Sequence, residues 1–115
     1  MVNATEPDFR KYDAGSSFRV TCRKYDNSLL DLTDAEVMKI IFKPKDSEAI
    51  IKDAVIPSEL TGADGVLEYV FVAGDLAHVG DWQAQAYVYY STTKYYYSTQ
   101  VKFKVGDVLA QVPTE

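Results

Sequence analysis

Two runs in the C-terminal half of the chain alternate strictly between apolar and other residues. In Trp82–Val88 the apolar phase alternates with glutamine and tyrosine, and in Val101–Val105 it alternates with lysine. Successive side chains of a β-strand point to opposite faces, so each run predicts a half-buried strand. The segment Ser91–Lys94 suits a turn between them. We therefore predict one long β-hairpin.

The turn position and the hydrophobic phase of this hairpin select the same register. Each apolar-face residue of one strand then opposes an apolar-face residue of the other. If the alternation of Val101–Val105 continues towards the N-terminus, Tyr97 and Thr99 lie on the apolar face as well. The predicted cross-strand pairs are Tyr90 with Tyr95, Tyr89 with Tyr96, and Trp82 with Phe103.

Shorter extended segments precede the hairpin and are separated by Asn, Asp, Gly and Pro residues. Between Gly74 and Gly80 the sequence suits one helical turn at most, with Asp75 as its N-cap. Six or seven short strands without a longer helix predict an all-β fold, an immunoglobulin-like antiparallel sandwich of two sheets, with a closed small barrel as the alternative. The predicted segments are Phe18–Cys22, Val37–Lys43, Ala49–Ile56 and Val66–Val72.

The segment Val37–Lys43 does not show one clear apolar face. Met38, Ile40 and Phe42 form one face, while Val37 and Ile41 form another that Lys39 interrupts. A bulge or burial on both faces would explain this pattern.

A chain of 115 residues is the size of one domain. We expect an N-terminal extension over residues 1–8, the sandwich over 9–105, and a tail or linker over 106–115. The predicted core consists of Phe18, Val20, Cys22, Trp82, Ala84, Ala86, Val88, Val101, Phe103 and Val105.

Charge and composition exclude several classes of function. The formal charge of −5 and the dispersed lysines argue against nucleic-acid binding, and no apolar run is long enough for a membrane helix. The only cysteine, Cys22, is expected to be a buried core residue, and the only histidine, His78, has no metal-ligand spacing around it. No nucleophile-elbow, phosphate-loop or EF-hand pattern occurs. We therefore expect no catalytic, cofactor-binding or metal-binding residues.

Tyrosine is the remaining unusual feature. Six of the nine tyrosines crowd the end of the predicted hairpin beside serine and threonine. Tyrosine offers a large amphipathic contact area at low entropic cost, which is typical of binding surfaces. The predicted register directs Tyr87, Tyr89 and Tyr96 away from the core, and these are the candidate interaction residues. Alternatively, cross-strand tyrosine pairs serve only to stiffen the hairpin.

The order of these signals resembles an immunoglobulin-like sandwich whose penultimate strand is entered through a short turn. Leu76, Gly80 and Trp82 match the leucine, glycine and aromatic residue that lead into that strand. The position two residues later, a cysteine in antibody domains, is Ala84 here. With a single cysteine, the disulfide-bonded antibody class is excluded.

More narrowly, the chain resembles the N-terminal immunoglobulin-like domain of bacteriophage baseplate upper proteins and related tail modules. The resemblance spans about Phe18 to Val105. Departures from the family pattern are Pro44–Ser47, where a Pro-Asp-Gly turn is expected, and Lys39 in place of an apolar strand residue. The similar segments are Asp31–Val37, Phe42–Asp46, Asp64–Val66 and Gly80–Ala84.

This resemblance implies a non-enzymatic structural and interaction module of a phage tail or baseplate, near the host-recognition apparatus. It implies other tail proteins as partners, self-association as a further option, and a place in the virion after assembly in the host cytoplasm. Neither a cofactor, nucleic acid nor membrane insertion is expected. Alternatives are a carbohydrate- or receptor-binding module that uses the tyrosine-rich hairpin, and an adhesion domain on a bacterial surface.

Overall fold

The computed structural model describes residues 8–110 and 112. Within them the chain forms eight β-strands and one short 3-10 helix, Gly62–Asp64. No helix in this part of the chain is long and apolar enough to span a membrane. The strands are β1 (Phe9–Arg10), β2 (Ser17–Thr21), β3 (Val37–Pro44), β4 (Ile50–Asp53), β5 (Val66–Val70), β6 (Gly80–Ser91), β7 (Lys94–Tyr97) and β8 (Val101–Gly106).

The strands form two sheets that enclose the core. The larger sheet has the order β1-β8-β6-β3-β4, and β7 also pairs with β6. The smaller sheet consists of β2 and β5. In the described part of the chain, only the short β1–β8 pair is parallel. The predicted class, an all-β sandwich without a disulfide, is confirmed.

The core is built from the inward faces of both sheets. Phe18 of the smaller sheet lies at its centre, with ring centroids 5.4 Å from Phe42 and 4.9 Å from Phe103 of the larger sheet. Burial of these aromatic rings supplies much of the hydrophobic stabilisation. Nine of the ten predicted core residues are buried: Phe18, Val20, Cys22, Trp82, Ala84, Ala86, Val88, Phe103 and Val105.

The prediction that Val101 belongs to the core is wrong, because 37% of this residue is exposed. Val101 begins β8 and pairs with Ala84 of β6. On the other side of β8, β1 pairs only with Val105 and Gly106. The edge of β8 at Val101 is therefore uncovered. An apolar position in the alternating pattern does not bury a residue whose strand edge has no neighbour.

Strand β3 has apolar residues on both faces because it lies between β6 and β4 in the larger sheet. It pairs without a register shift with β6 from Val37 to Pro44, so it contains no bulge and includes the proline predicted to stop it. Ile40 and Phe42 point into the core, while Ile41 is half-buried on the outer face opposite Ile51 of β4. The apolar Ile41 on the outer face of β3 is thus accounted for by its apolar cross-strand neighbour.

Of two turns before the long hairpin, the one after β5 differs from expectation, whereas Asp64–Gly65 forms a turn as its sequence indicates. Residues 73–76 form a hydrogen-bonded turn in place of the predicted helical turn. Asp75 does not cap a helix, since its carboxylate accepts hydrogen bonds from the Val72 N–H at 2.8 Å and the Tyr69 hydroxyl at 2.6 Å. At the Asp64–Gly65 turn, Gly65 has φ 71, a left-handed conformation that favours glycine.

The N-terminal end of the described chain is attached to β8. Asp8 donates its N–H to the Lys104 carbonyl at 3.0 Å and accepts from the Lys104 N–H at 3.0 Å. Asp8 is therefore part of the sandwich's hydrogen bonding, although the prediction assigned it to the extension. The rest of the predicted extension, residues 1–7, lies outside the described residues. The domain boundaries and the C-terminal tail stay predictions.

Candidate interaction surface

The hairpin pairs in two different registers along its length. Near the sheet's centre Trp82 pairs with Phe103, as predicted. Towards the turn the register shifts between Tyr89 and Ser91, so that Tyr90 is an extra residue in β6. Tyr89 therefore pairs with Tyr95, and the predicted pairs of Tyr90 with Tyr95 and Tyr89 with Tyr96 are wrong by one residue.

A second irregularity at Ser98 restores the original register. Ser98 donates its N–H to the Ala86 carbonyl at 2.9 Å, and its Oγ accepts from the Ala86 N–H at 2.9 Å. The Gln85 side-chain amide donates to the Ser98 carbonyl at 2.8 Å. Ser98 is buried, with 3% of its surface exposed, and its hydroxyl takes the place of a ladder carbonyl. Strand β8 then pairs with β6 from Val101 onwards.

This local shift places four tyrosines together on the outer face of the larger sheet. We call Tyr87, Tyr89, Tyr95 and Tyr97 the outer tyrosine surface. Tyr87 and Tyr97 are cross-strand neighbours with ring centroids 5.0 Å apart, and Tyr89 and Tyr95 stack at 6.2 Å. Tyr95 and Tyr97 are 52% and 57% exposed. The prediction that Tyr97 points inward is wrong, and Thr99, also predicted inward, is exposed.

Tyr96 lies on the opposite side from this surface. It is half-buried and packs against the core together with Tyr90, whose ring meets it edge-on at 6.1 Å. The predicted outward orientation of Tyr96 is thus wrong, because a one-residue shift in register moves every side chain of a strand to the other face. Of the three candidate interaction residues, Tyr87 and Tyr89 remain on the outer face.

Aliphatic and charged residues of β3 and β4 border the outer tyrosine surface. Lys39, Ile41, Ile51, Tyr87 and Tyr97 line a shallow groove of about 170 Å³. Ile51 is 61% exposed. The Lys39 ammonium pairs with Asp53 across the strands at 2.5 Å. The surface is therefore mainly aromatic and aliphatic, with an ion pair at its border.

The hydroxyl of Tyr87 lies among the other rings of this surface. Partial burial and the nearby Tyr97, Tyr89 and Tyr95 raise the pKa of Tyr87 above its ordinary value. Its hydroxyl therefore stays protonated at neutral pH and can donate a hydrogen bond. A neutral, amphipathic ring is suited to contact with another protein.

The only cysteine and the only histidine of the chain lie in different environments. Cys22 is fully buried, and this burial raises the pKa of its thiol to about 12, so it is not a reactive thiolate. His78 is exposed, and its carbonyl accepts the Trp82 indole N–H at 2.8 Å. Among residues 8–110 and 112, no group of three His, Cys, Asp or Glu side chains is placed to hold a metal ion.

Sequence reasoning missed Tyr95 and Tyr97 as surface residues. The run Tyr95–Tyr97 is aromatic at every position, so it carries no alternation from which to assign a face. Ser98 was the available signal, because a small hydroxyl residue between two strands can satisfy a backbone group where a ladder is interrupted.

Comparison with known proteins identifies the family of the chain. Comparison with curated proteins gives no significant match. The family model of the BppU N-terminal domain matches residues 2–113. This match covers nearly the whole chain, including both sheets and the outer tyrosine surface. The chain therefore belongs to the BppU N-terminal domain family, the N-terminal domains of phage baseplate upper proteins.

Proposed function

We propose that this chain is a non-enzymatic structural module that assembles with other tail proteins near the host-recognition apparatus of the virion. Its membership in a phage baseplate family supports a structural role. The observation that carries the finer proposal is the outer tyrosine surface, where four rings lie side by side on one face of a rigid sheet.

An exposed cluster of this kind is costly unless a partner covers it. Single exposed apolar residues are common on protein surfaces, whereas contiguous aromatic patches mark interfaces. Here Ile51, Tyr95 and Tyr97 are each more than half exposed, while Tyr87 and Tyr89 are half-buried between their neighbours. Each ring is positioned by a cross-strand partner, so docking would fix few additional rotamers. The surface therefore suits contact with a neighbouring tail protein.

The size of the groove favours a protein over a sugar as its partner. Small-molecule sites usually enclose about 300–1,000 Å³. The groove between Tyr87, Tyr97 and Ile51 holds about 170 Å³ and is open to solvent. A flat aromatic face with a shallow groove resembles one half of a protein interface. The carbohydrate-binding alternative would be favoured by binding of the chain to a glycan array.

The test removes two exposed rings and measures assembly. Tyr95→Ala combined with Tyr97→Ala should leave the far-UV circular dichroism spectrum unchanged, because both side chains are more than half exposed. We expect incorporation into virions, or binding to purified neighbouring tail proteins, to weaken by about thirtyfold, the effect of losing about 2 kcal/mol at an interface hot spot.

Tyr25→Ala is the matched control, since Tyr25 is 97% exposed and lies outside the outer tyrosine surface. It should assemble as the unmodified chain does. If the double variant folds and assembles normally, the outer tyrosines only stiffen the hairpin and the proposed surface is wrong.

A further inference from the structure

Four lysines help to line a cavity at the end of the larger sheet farthest from the tyrosine hairpin. The cavity has a volume of about 550 Å³, and Lys43, Lys45, Lys102 and Lys104 contribute to its lining. We call it the four-lysine cavity. These are four of the chain's 12 lysine and arginine residues. Sequence spacing did not reveal the cluster, because Lys43 and Lys45 lie at the end of β3 whereas Lys102 and Lys104 lie in β8.

The register shows how β-pairing assembles this cluster. Lys43 of β3 and Lys102 of β8 both pair with Gln83 of β6, so they flank it on the outer face. Two residues further along, Lys104 pairs with Asp81, and Lys45 donates its N–H to the Asp81 carbonyl at 2.8 Å. Strand spacing separates the two lysine columns by about 10 Å and the two rows by about 7 Å.

Among the described residues none of these lysines has a carboxylate partner, and the Lys43 ammonium donates to the Ser47 carbonyl at 2.8 Å. None of the four ammonium groups lies within 4.0 Å of a carboxylate among the described residues. Three aspartates, Asp8, Asp46 and Asp81, also line the cavity; Asp8 accepts from the Lys104 backbone N–H, and Asp81 lies between the lysine columns. Their side chains are short, whereas lysine stems extend well beyond the sheet surface. The four lysines outnumber the three aspartates, so the lining of the cavity carries a formal net charge of +1.

Unpaired acidic side chains lie at the opposite end of the same strands. Asp34 and Glu36 are exposed on the connection into β3. The Glu36 N–H donates a hydrogen bond to the Tyr89 carbonyl at 2.9 Å. Neither carboxylate forms an ion pair with any described residue. The seven-residue rise of β3 from Glu36 to Lys43 separates the two ends by about 23 Å.

We propose that the four-lysine cavity of one copy of this chain receives the Asp34–Glu36 segment of a second copy, in a head-to-tail contact. With a net charge of −5, two copies repel each other in most orientations. Placing the unpaired acidic end of one against the unpaired lysines of the next replaces repulsion by attraction. The contact is heterologous, so it can repeat from copy to copy and generate a ring or an open chain.

The experiment measures self-association of the full 115-residue chain by sedimentation velocity over a range of concentrations. At about 50 mM salt we expect association that weakens at about 500 mM, where surface charges are screened within a few ångströms. Lys102→Glu and Glu36→Lys should each weaken self-association by about fivefold or more. Both residues are exposed, so circular dichroism should show an intact fold. Lys104→Glu and Asp34→Lys provide a second pair of variants.

Mixing the two variants is the decisive step. Lys102→Glu keeps an intact acidic end and Glu36→Lys keeps an intact cavity, so an equimolar mixture should recover association, but only as a 1:1 dimer. Lys11→Glu and Glu48→Lys change the charge by the same amounts at positions that neither line the cavity nor belong to the Asp34–Glu36 segment, and they should associate as the unmodified chain does.

A chain that stays monomeric at every concentration in low salt would overturn the proposal, as would variants that associate normally or a mixture that fails to recover. Association lost in the Tyr95→Ala, Tyr97→Ala variant but retained in both charge variants would place the second copy on the outer tyrosine surface instead. That result would refute the cavity contact and leave the proposed function standing, because the two proposals use different residues.

Discussion

Ser98 is the residue on which the long hairpin's change of register depends, and replacing it tests that geometry directly. Its Oγ accepts from the Ala86 N–H and donates to the Thr99 carbonyl at 3.0 Å. In Ser98→Ala the Ala86 N–H loses its acceptor inside the sheet, while the backbone hydrogen bond from the Ser98 N–H to Ala86 is kept.

The size of the effect follows from burial. Ala86 is fully buried and Ser98 is 3% exposed, so water has little access to the orphaned N–H. Leaving a buried donor unsatisfied costs about 1–3 kcal/mol. The Thr99 carbonyl adds little to this cost, since Thr99 is exposed and its carbonyl can accept from water. We expect Ser98→Ala to lower the free energy of unfolding by about 2 kcal/mol.

Urea denaturation followed by circular dichroism measures this loss. With an m-value of about 1–3 kcal/mol/M, the midpoint should fall by about 1 M. Amide hydrogen exchange should also accelerate at Ala86. Ser91→Ala is the control, because the Ser91 hydroxyl is exposed and contacts only Thr93 side-chain and backbone groups. Its free energy of unfolding should stay within about 0.5 kcal/mol of that of the unmodified chain.

The reasoning fails if Ser98→Ala unfolds at the same urea concentration as Ser91→Ala and Ala86 exchange does not change. The Ala86 N–H would then have another acceptor, and the serine hydroxyl would not be what holds the hairpin in its second register.

Trp82→Ala should lower stability by about 3–5 kcal/mol, because a fully buried indole and its hydrogen bond to the His78 carbonyl are lost; a denaturation midpoint that barely moves would contradict its core position. Gly65→Ala should destabilise more than Gly74→Ala in thermal unfolding. Both have positive φ, at a cost of about 1–2 kcal/mol, but only at Gly65 would the Cβ lie 2.7 Å from a backbone carbonyl; equal losses would contradict this. Asp75→Asn tests acid stability. Burial raises the pKa of Asp75, but hydrogen bonds from Tyr69 and Val72 and the Lys52 ion pair outweigh it and lower the pKa. The stability advantage of Asp75 should therefore be complete above its unfolded pKa of about 3.9 and disappear as pH falls through the lower folded-state pKa; an advantage independent of pH in urea titrations would contradict the assignment.

The sequence allowed prediction of those features in which two independent signals agree. Trp82 and Phe103 are paired as expected because the apolar phases of both strands match at that position. Cys22 is buried as expected because it continues the alternation of Phe18 and Val20. The class of fold followed from many short strands separated by turn residues, and the structure confirms it.

The tyrosine surface could be located on the chain but not assigned to a face. Tyr89–Tyr90 and Tyr95–Tyr97 are uninterrupted aromatic runs, so either register buries tyrosine on one side and exposes it on the other. The hydrophobic periodicity of the sequence therefore does not distinguish the two registers. The choice depends on the fit of Tyr90 and on the Ser98 hydrogen bonds, which are tertiary contacts. The four-lysine cavity escaped prediction for a related reason, since its lysines meet only after three strands have paired.

The bulge in β6 directs its extra residue, Tyr90, into contacts that affect binding. Tyr90 leaves the regular ladder, packs against the core beside Tyr96, and donates its hydroxyl to the Asp31 carbonyl. That hydrogen bond ties the tyrosine hairpin to the β2–β3 connection, which also carries Asp34 and Glu36. Two inward tyrosines thus hold the strands that display the four outward ones, and the same anchor limits the motion of the acidic segment. Groups fixed before a partner arrives lose less entropy on binding, so the residues that do not face the partner help to determine its affinity.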